Sequence, residues 1–392
     1  MEKARRIQNM GSAIFNEMEE LKKKVEQRGV EVINLGVGSP DRPPAQHIIE
    51  AMHKALDNLD NYRYPLVGQL ALRQAVANWY KNRFRVELDP ADEVLVLMGS
   101  QDGLAHIAMA YINPGDIALI PDPGYPIYAA SIVLAEGEIY PMPLLAKNDF
   151  LPDLQAIPQD VARQAKLLWV NYPNNPVAAS ANRQFFAELV NFAREYDIVV
   201  CHDIAYCELA FDGFEPVSFL EAPGAKEVGI EFYSLSKTYN MAGCRIGFAV
   251  GNAGVLEALN RIKTNIDYGV FNVVQKAGIA ALEGPQDCVR ENAEYYRRRR
   301  DVLVDGLAGL GWEVPRPNAS MFVWAPLPKG YNCSCREFAL KMLHSTGVLV
   351  IPGTAFGKMG EGYLRIALVR DEPVLQEAVR RIGEFLRSGE QA

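Results

Sequence analysis

No stretch of this chain approaches the roughly 18 consecutive apolar residues that a membrane-crossing helix needs, so a helical span is not expected. The start, MEKARRIQNMGS, has basic residues with no apolar segment behind them, which argues against a signal peptide. Cysteine is sparse: Cys201, Cys207, Cys244, Cys288, Cys333 and Cys335 are scattered without a framework spacing, so a disulfide-stapled scaffold is excluded. Cys333-Ser334-Cys335 has no second pair of Cys or His at ligand distance, so no metal centre is expected. Several of these thiols sit in apolar runs, which points to reduced cysteines and a cytoplasmic location. Basic excess is also missing. Lys and Arg total 40 against 48 Asp and Glu, a formal charge of −8 with no electrostatic footprint for nucleic acid. The one dense basic run, Arg297 to Arg300, lies in a long periodic helix and reads as a solvated face. Gly36-Val37-Gly38 lacks a third glycine and leads into prolines rather than a helix, so it makes a poor dinucleotide loop.

What is present is an ordinary globular composition, 49% apolar and 22% charged over 392 residues, a length that suggests roughly two domains. From residue 46 to 285 short apolar runs (VLVLM, DIALIP, LLWV, DIVVC, EFYSL, RIGFAVG) alternate with helical patterns such as RQFFAELVNFAREY. That alternation predicts an α/β unit with a mostly parallel sheet covered on both faces. Residues 286–392 change to a long helix, short strands (MFVWAPL, GVLVIP, YLRIALV) and a closing helix, a smaller α+β domain. Residues 1–45 read as an N-terminal arm completing that smaller domain, with a peripheral helix over Ser12–Gln27.

The chemistry concentrates at predicted strand ends. SLSKTYNMAGCRIGF, Ser234 to Phe248, follows the buried run GIEFY. Ser234, Ser236 and Arg245 are phosphate-gripping residue types. Lys237 among them is placed to hold an aldehyde cofactor as a Schiff base. Asn175 follows AKLLWV in the proline-bounded NYPNNP, where its amide can donate to a phenolic oxygen and help seat a carboxylate. Asp203 ends the interior strand DIVVCHD, too deep for a carboxylate without a cationic partner such as a protonated pyridine nitrogen. Tyr206, three residues on, can reach the same phenolic oxygen. Each piece alone has an ordinary structural use: a surface loop, a turn, a helix cap. Open α/β sheets, however, place their ligands at strand carboxyl ends.

Taken in order, Asn175, Asp203, Lys237 and Arg245 resemble the class I/II aminotransferases, the fold type I family of pyridoxal 5'-phosphate enzymes. The likeness runs from INLGVGSPD near residue 33 to GEGYLRIAL near residue 360. It implies that Ser100 and Gln101, at a helix start after VLVLMG, join the phosphate site. It implies that Tyr125 of PDPGYP stacks on the cofactor ring. Arg365 of GYLRIAL would take the substrate carboxylate and Gly38 would let the substrate approach. It further implies a homodimer with shared active sites, Tyr64 (with Tyr62 as an alternative) and Asn272 being supplied by the neighbouring subunit. The expected activity is transfer of an amino group between an L-amino acid and a 2-oxo acid, with Lys237 as the catalytic base.

Three departures stand out. Tyr64 lies four residues before Gly68, where the family usually has five. Val177-Ala178 follows NYPNNP in place of Thr-Gly, and Cys244 stands where relatives often carry a bulky aromatic. Longer runs such as FAREYDIVVCHDIAYCELAFDG are similar to the bacterial LL-diaminopimelate aminotransferase branch, which uses glutamate as amino donor. Aspartate, alanine, aromatic or methionine-type aminotransferases share the same core motifs, as do pyridoxal phosphate lyases on this fold.

Overall fold

The computed structural model describes residues 2–8 and 13–388. Its strands in chain order are β1 Ile33–Asn34, β2 Val94–Leu97, β3 Ile117–Asp122, β4 Glu138–Pro143, β5 Ala165–Asn171 and β6 Val199–Asp203. They continue with β7 Gly229–Ser234, β8 Gly247–Gly251, β9 Phe322–Pro326, β10 Val348–Leu349, β11 Ile351–Pro352 and β12 Tyr363–Ala367. Strands β2 to β8 form one sheet in the order β2-β8-β7-β6-β5-β3-β4. It is parallel except for β8, which runs antiparallel to both β2 and β7.

Alternation along the central strands explains why this sheet is covered on both faces. Leu167, Trp169, Cys201, Ile230 and Phe232 point into one apolar cluster. Leu168, Val170, Val200, Tyr233 and Phe248 point into another on the opposite face. A strand buried on both sides reads as an unbroken apolar run, as these do. The covering helices are set by local signals. In Arg183–Tyr196, Asn182 Oδ1 accepts from the Phe185 amide at 2.9 Å at the start, and Asp197 turns left-handed (φ 55°) at the end.

A second assembly is built from the rest. Strands β11, β12 and β9 form an antiparallel sheet, while β1 pairs in parallel with β10. One apolar cluster joins Met18, Val25 and Leu35 of the N-terminal segment to Trp312, Met321, Leu364 and Ile382. The helix Ala13–Gln27 is not merely peripheral, since Met18 and Val25 are buried in that cluster; Ser12 lies outside the described residues.

The basic tetrad is not the solvated face expected. Arg297 and Arg298 are surface groups, but Arg299 and Arg300 are buried. Arg299 donates to Asp41 Oδ1 at 2.9 Å and to Asp371 Oδ1 at 2.8 Å; Arg300 donates to Asp212 Oδ2 at 2.6 Å. Arg300 also pairs with the adjacent Asp301 at 2.7 Å, but Asp41, Asp212 and Asp371 come from three distant segments that nothing local in the sequence reveals. Breaking a buried, multiply paired cation leaves charge unmatched. Arg299→Ala is therefore expected to lower the unfolding free energy by about 3 kcal/mol in urea titrations, and a loss below about 0.5 kcal/mol, the size of an ordinary surface change, would contradict this packing.

Candidate active site

At the carboxyl ends of β5, β6 and β7 the chain encloses a cavity of about 630 Å³. Each of the three strands delivers a polar side chain there because its apolar run stops at the sheet edge. Strand β5 ends at Asn171, whose Oδ1 accepts from the Asn175 amide at 2.7 Å and whose Nδ2 donates to the Asp203 carbonyl at 2.7 Å. This ties the Tyr172–Pro176 loop to β6 and fixes Asn175. Strand β6 ends at Asp203, 5% exposed, which accepts from Tyr128 Oη at 2.9 Å and from the Ala205 amide at 3.2 Å. Burial pushes its carboxyl above the usual range, with the Tyr128 hydrogen bond opposing. Tyr206, also buried, is raised for the same reason, with the Asp203 charge adding to it.

Strand β7 ends at Ser234, which caps the short turn Leu235–Thr238 by accepting from the Ser236 amide at 3.2 Å. Lys237 sits on that turn, and its Nζ donates to the Gly38 carbonyl at 2.8 Å. Burial first, then the charges of Arg365 and Arg245, bring this amine down to about 8, with Asp203 pulling the other way. Across the cavity the helix Ser100–Tyr111 begins at the lining, with Ser100 and Gln101 in its first turn. Gly99 precedes it at φ 78°, and a Cβ there would come within 2.6 Å of Arg245 Nη2. Glycine thus lets the guanidinium lie against the helix start, where dipole and cation together favour an anion. Tyr125 lines the cavity and donates to Gln101 Oε1 at 3.1 Å.

Arg365 closes the opposite side from β12. It donates to Asn175 Oδ1 at 2.8 Å and to the Gly36 carbonyl at 2.6 Å, lying 4.3 Å from the Phe322 ring and 4.5 Å from Phe356. Its Nε has no partner, and no carboxylate pairs with it among the described residues. Burial lowers its pKa to about 10. A cation kept this deep without a counter-charge is set up for an anionic ligand. At Gly38 a Cβ would stand 2.4 Å from Phe322, so only glycine keeps that aromatic against the site.

Of the residues singled out from sequence, Gly38, Ser100, Gln101, Tyr125, Asn175 and Asp203 line this cavity, as do Tyr206, Ser234, Ser236, Lys237, Arg245 and Arg365. Tyr64 and Asn272 do not. Tyr64 is 77% exposed with its ring 5.0 Å from that of Tyr268, and Asn272 bonds the Arg63 carbonyl and Gln69. Val177 and Cys244 lie off the lining as well. Sequence reasoning missed Asn171, Tyr128, Phe322 and Phe356. Asn171 opens NYPNNP itself, and Tyr128 follows Tyr125 by one helical turn, so both left a local trace. The two phenylalanines left none.

The family model for aminotransferase class I and II matches residues 30–382. An LL-diaminopimelate aminotransferase of Desulforudis audaxviator is 54% identical over 97% of this chain and 96% of that protein. One from Moorella thermoacetica is 52% identical over 98% and 99%. Among solved structures, substrate-bound BacF from Bacillus subtilis superposes with a TM-score of 0.94 at 37% identity, covering 98% of both chains. A probable N-succinyldiaminopimelate aminotransferase from Thermus thermophilus superposes at 0.89 with 39% identity, over 95% of this chain and 100% of that one.

The Lys237 amine gives a pH test. It releases its proton near 8 when folded and near 10.5 when unfolded. The unfolded chain then binds more protons between those values, so the penalty for burying Lys237 shrinks as pH rises through that window. In cofactor-free protein, the stability of wild type relative to Lys237→Met should increase from pH 8 to 10.5 in denaturant titrations. A flat difference would contradict the depressed amine.

Proposed function

The chain belongs to the class I and II aminotransferases, and within that family we propose that it is an LL-diaminopimelate aminotransferase working with pyridoxal 5'-phosphate. Family members move an amino group between an amino acid and a 2-oxo acid, and so does this enzyme. One observation carries the cofactor reading: a single cavity gathers a proton-labile lysine, a buried acid, an arginine against a helix start and, across from it, a second arginine with no carboxylate partner among the described residues.

The residues fit the cofactor's distinct ends. Ser100, Gln101, Ser234, Ser236 and Arg245 would hold its phosphate, by hydroxyls, amides and a planar cation. Tyr125 would lie on the ring, Asn175 and Tyr206 would meet the phenolic oxygen, and Asp203 would face the ring nitrogen. When bound, pyridoxal 5'-phosphate supplies an aldehyde for the amino group and a ring that accepts the electron pair of the broken Cα–H bond. The chain does the rest. Lys237 Nζ, neutral in a useful fraction near pH 8, would serve as the base that accepts the substrate Cα proton and holds it for transfer. Arg365, held by Asn175 and Gly36, grips the substrate carboxylate in two-pronged fashion and so selects which Cα bond is aligned. Phe322 and Phe356, flanking it at 4.3 and 4.5 Å, would help keep water from that pair.

LL-diaminopimelate carries a second ammonium and carboxylate that the outer cavity must accept. Glu19, paired with Lys22 at 3.1 Å, brings a carboxylate to that wall beside Phe15 and Met18, and would share it with the far ammonium. The active unit in this reading is a homodimer, with Tyr64 and Asn272 completing the partner's site. Supporting it, Leu59, Tyr62, Tyr64, Leu66, Val67 and Tyr268 are all more than half exposed, and the Tyr64 and Tyr268 rings lie 5.0 Å apart, apolar side chains that a second subunit would cover.

The test is a substrate panel with purified, cofactor-loaded protein, following glutamate formed from 2-oxoglutarate. LL-diaminopimelate should outrun aspartate, alanine, aromatic amino acids and methionine by at least about tenfold in kcat/KM, the worth of one buried charge-assisted contact. Preference for any of the others would overturn the substrate assignment. Oxo-acid release without an acceptor would instead mark a lyase.

A further inference from the structure

We propose that Tyr128 is a positioning residue: its phenol holds the Asp203 carboxylate ionised and oriented for the cofactor's ring nitrogen. The inference rests on the reading of Asp203 given above.

Tyr128 lies on the helix Pro126–Leu134, one turn beyond Tyr125, and is 1% exposed. Its Oη donates to Asp203 Oδ2 at 2.9 Å, while the Ala205 amide donates to Oδ1 at 3.2 Å. Each carboxylate oxygen thus has one donor from the protein and keeps a lone pair for the cavity that Asp203 lines. No cation lies within ion-pair distance of Asp203 among the described residues, so against burial its ionised form leans first on these two donors, with the charges of His202 and Lys237 adding less. A neutral acid cannot keep a pyridine nitrogen protonated.

Tyr128 is suited to prevent that. Burial and the adjacent Asp203 charge keep its own proton bound far above the ordinary phenol range, so it remains a donor at any working pH. Its ring is boxed in, 5.9 Å from the Tyr125 ring and 6.4 Å from Trp169, and its carbonyl accepts from Ser131 Oγ at 2.8 Å. One helical turn therefore carries both the aromatic that faces the cavity and the donor that fixes the acid beside it. A phenylalanine would pack equally well at 128, so the hydroxyl is not needed to fill space.

The experiment loads wild type, Tyr128→Phe, Tyr128→His and Asp203→Asn with pyridoxal 5'-phosphate labelled with ¹⁵N in the ring. Two quantities are read: the ¹⁵N chemical shift, which reports ring protonation, and the cofactor dissociation constant from fluorescence titration. Tyr128→Phe should melt close to wild type, move the ¹⁵N resonance toward the unprotonated range and weaken the cofactor by about 10- to 100-fold, as expected for a lost hydrogen bond to a charged group. Tyr128→His, which restores a ring donor, should recover part of both. A wild-type shift and affinity in Tyr128→Phe, with Asp203→Asn displaced, would overturn the proposal and leave the Asp203 reading intact. A wild-type shift in Asp203→Asn would overturn both.

Discussion

Burying charge without a partner is expensive, and this protein does it three times in one cavity. Lys237, Asp203 and Arg365 all line the same space, yet no ion pair joins any two of them among the described residues. Desolvation moves each away from its charged form: the lysine to about 8, the arginine to about 10 and the aspartate upward. Such an arrangement lowers the stability of the ligand-free chain and is retained where a ligand supplies the missing charges. A dianionic, heteroaromatic aldehyde and a carboxylate substrate between them match all three.

The scaffold makes this possible by ending strands where polarity is wanted. Asn171, Asp203 and Ser234 terminate three neighbouring parallel strands, so one sheet edge presents an amide, an acid and a capped turn side by side. The antiparallel β8 returns the chain so that Gly247 and the residue before it bring Arg245 next to Gly99 and the start of the helix at Ser100. The second assembly contributes Gly36, Gly38, Phe322, Phe356 and Arg365 from the other side. Contacts across the gap are direct: Lys237 Nζ to the Gly38 carbonyl, the Gly124 amide to the Phe356 carbonyl at 2.8 Å, and the Met359 amide to Asp122 Oδ1 at 3.0 Å.

How much of this was legible follows from where each signal lives. The sheet was readable because parallel strands must be apolar on both faces, and AKLLWV, DIVVC and GIEFY are. The cofactor-site candidates were readable because unpaired polar residues at the ends of such runs need a reason to be there. Arg299 and Arg300 look solvated in sequence because, the adjacent Asp301 apart, their partners Asp41, Asp212 and Asp371 arrive from segments far apart in the chain. Phe322 and Phe356 were invisible for the same reason: aromatics in a buried strand and a short turn look like core, and only the tertiary fold sets them against Arg365. Tyr128 lies only three residues after Tyr125, but nothing in its own helix shows that the acid it bonds is Asp203. Antiparallel placement of β8 depends on chain return, which local patterning does not encode.

The central claim is that one amine, Lys237 Nζ, bonds the cofactor aldehyde in the resting enzyme. Borohydride reduction of the yellow, cofactor-loaded protein followed by peptide mass mapping addresses it directly. The account predicts a single pyridoxyl-modified peptide, containing residue 237, with loss of activity in proportion to labelling. Modification of a different lysine, or an active preparation that carries no reducible cofactor, would contradict it.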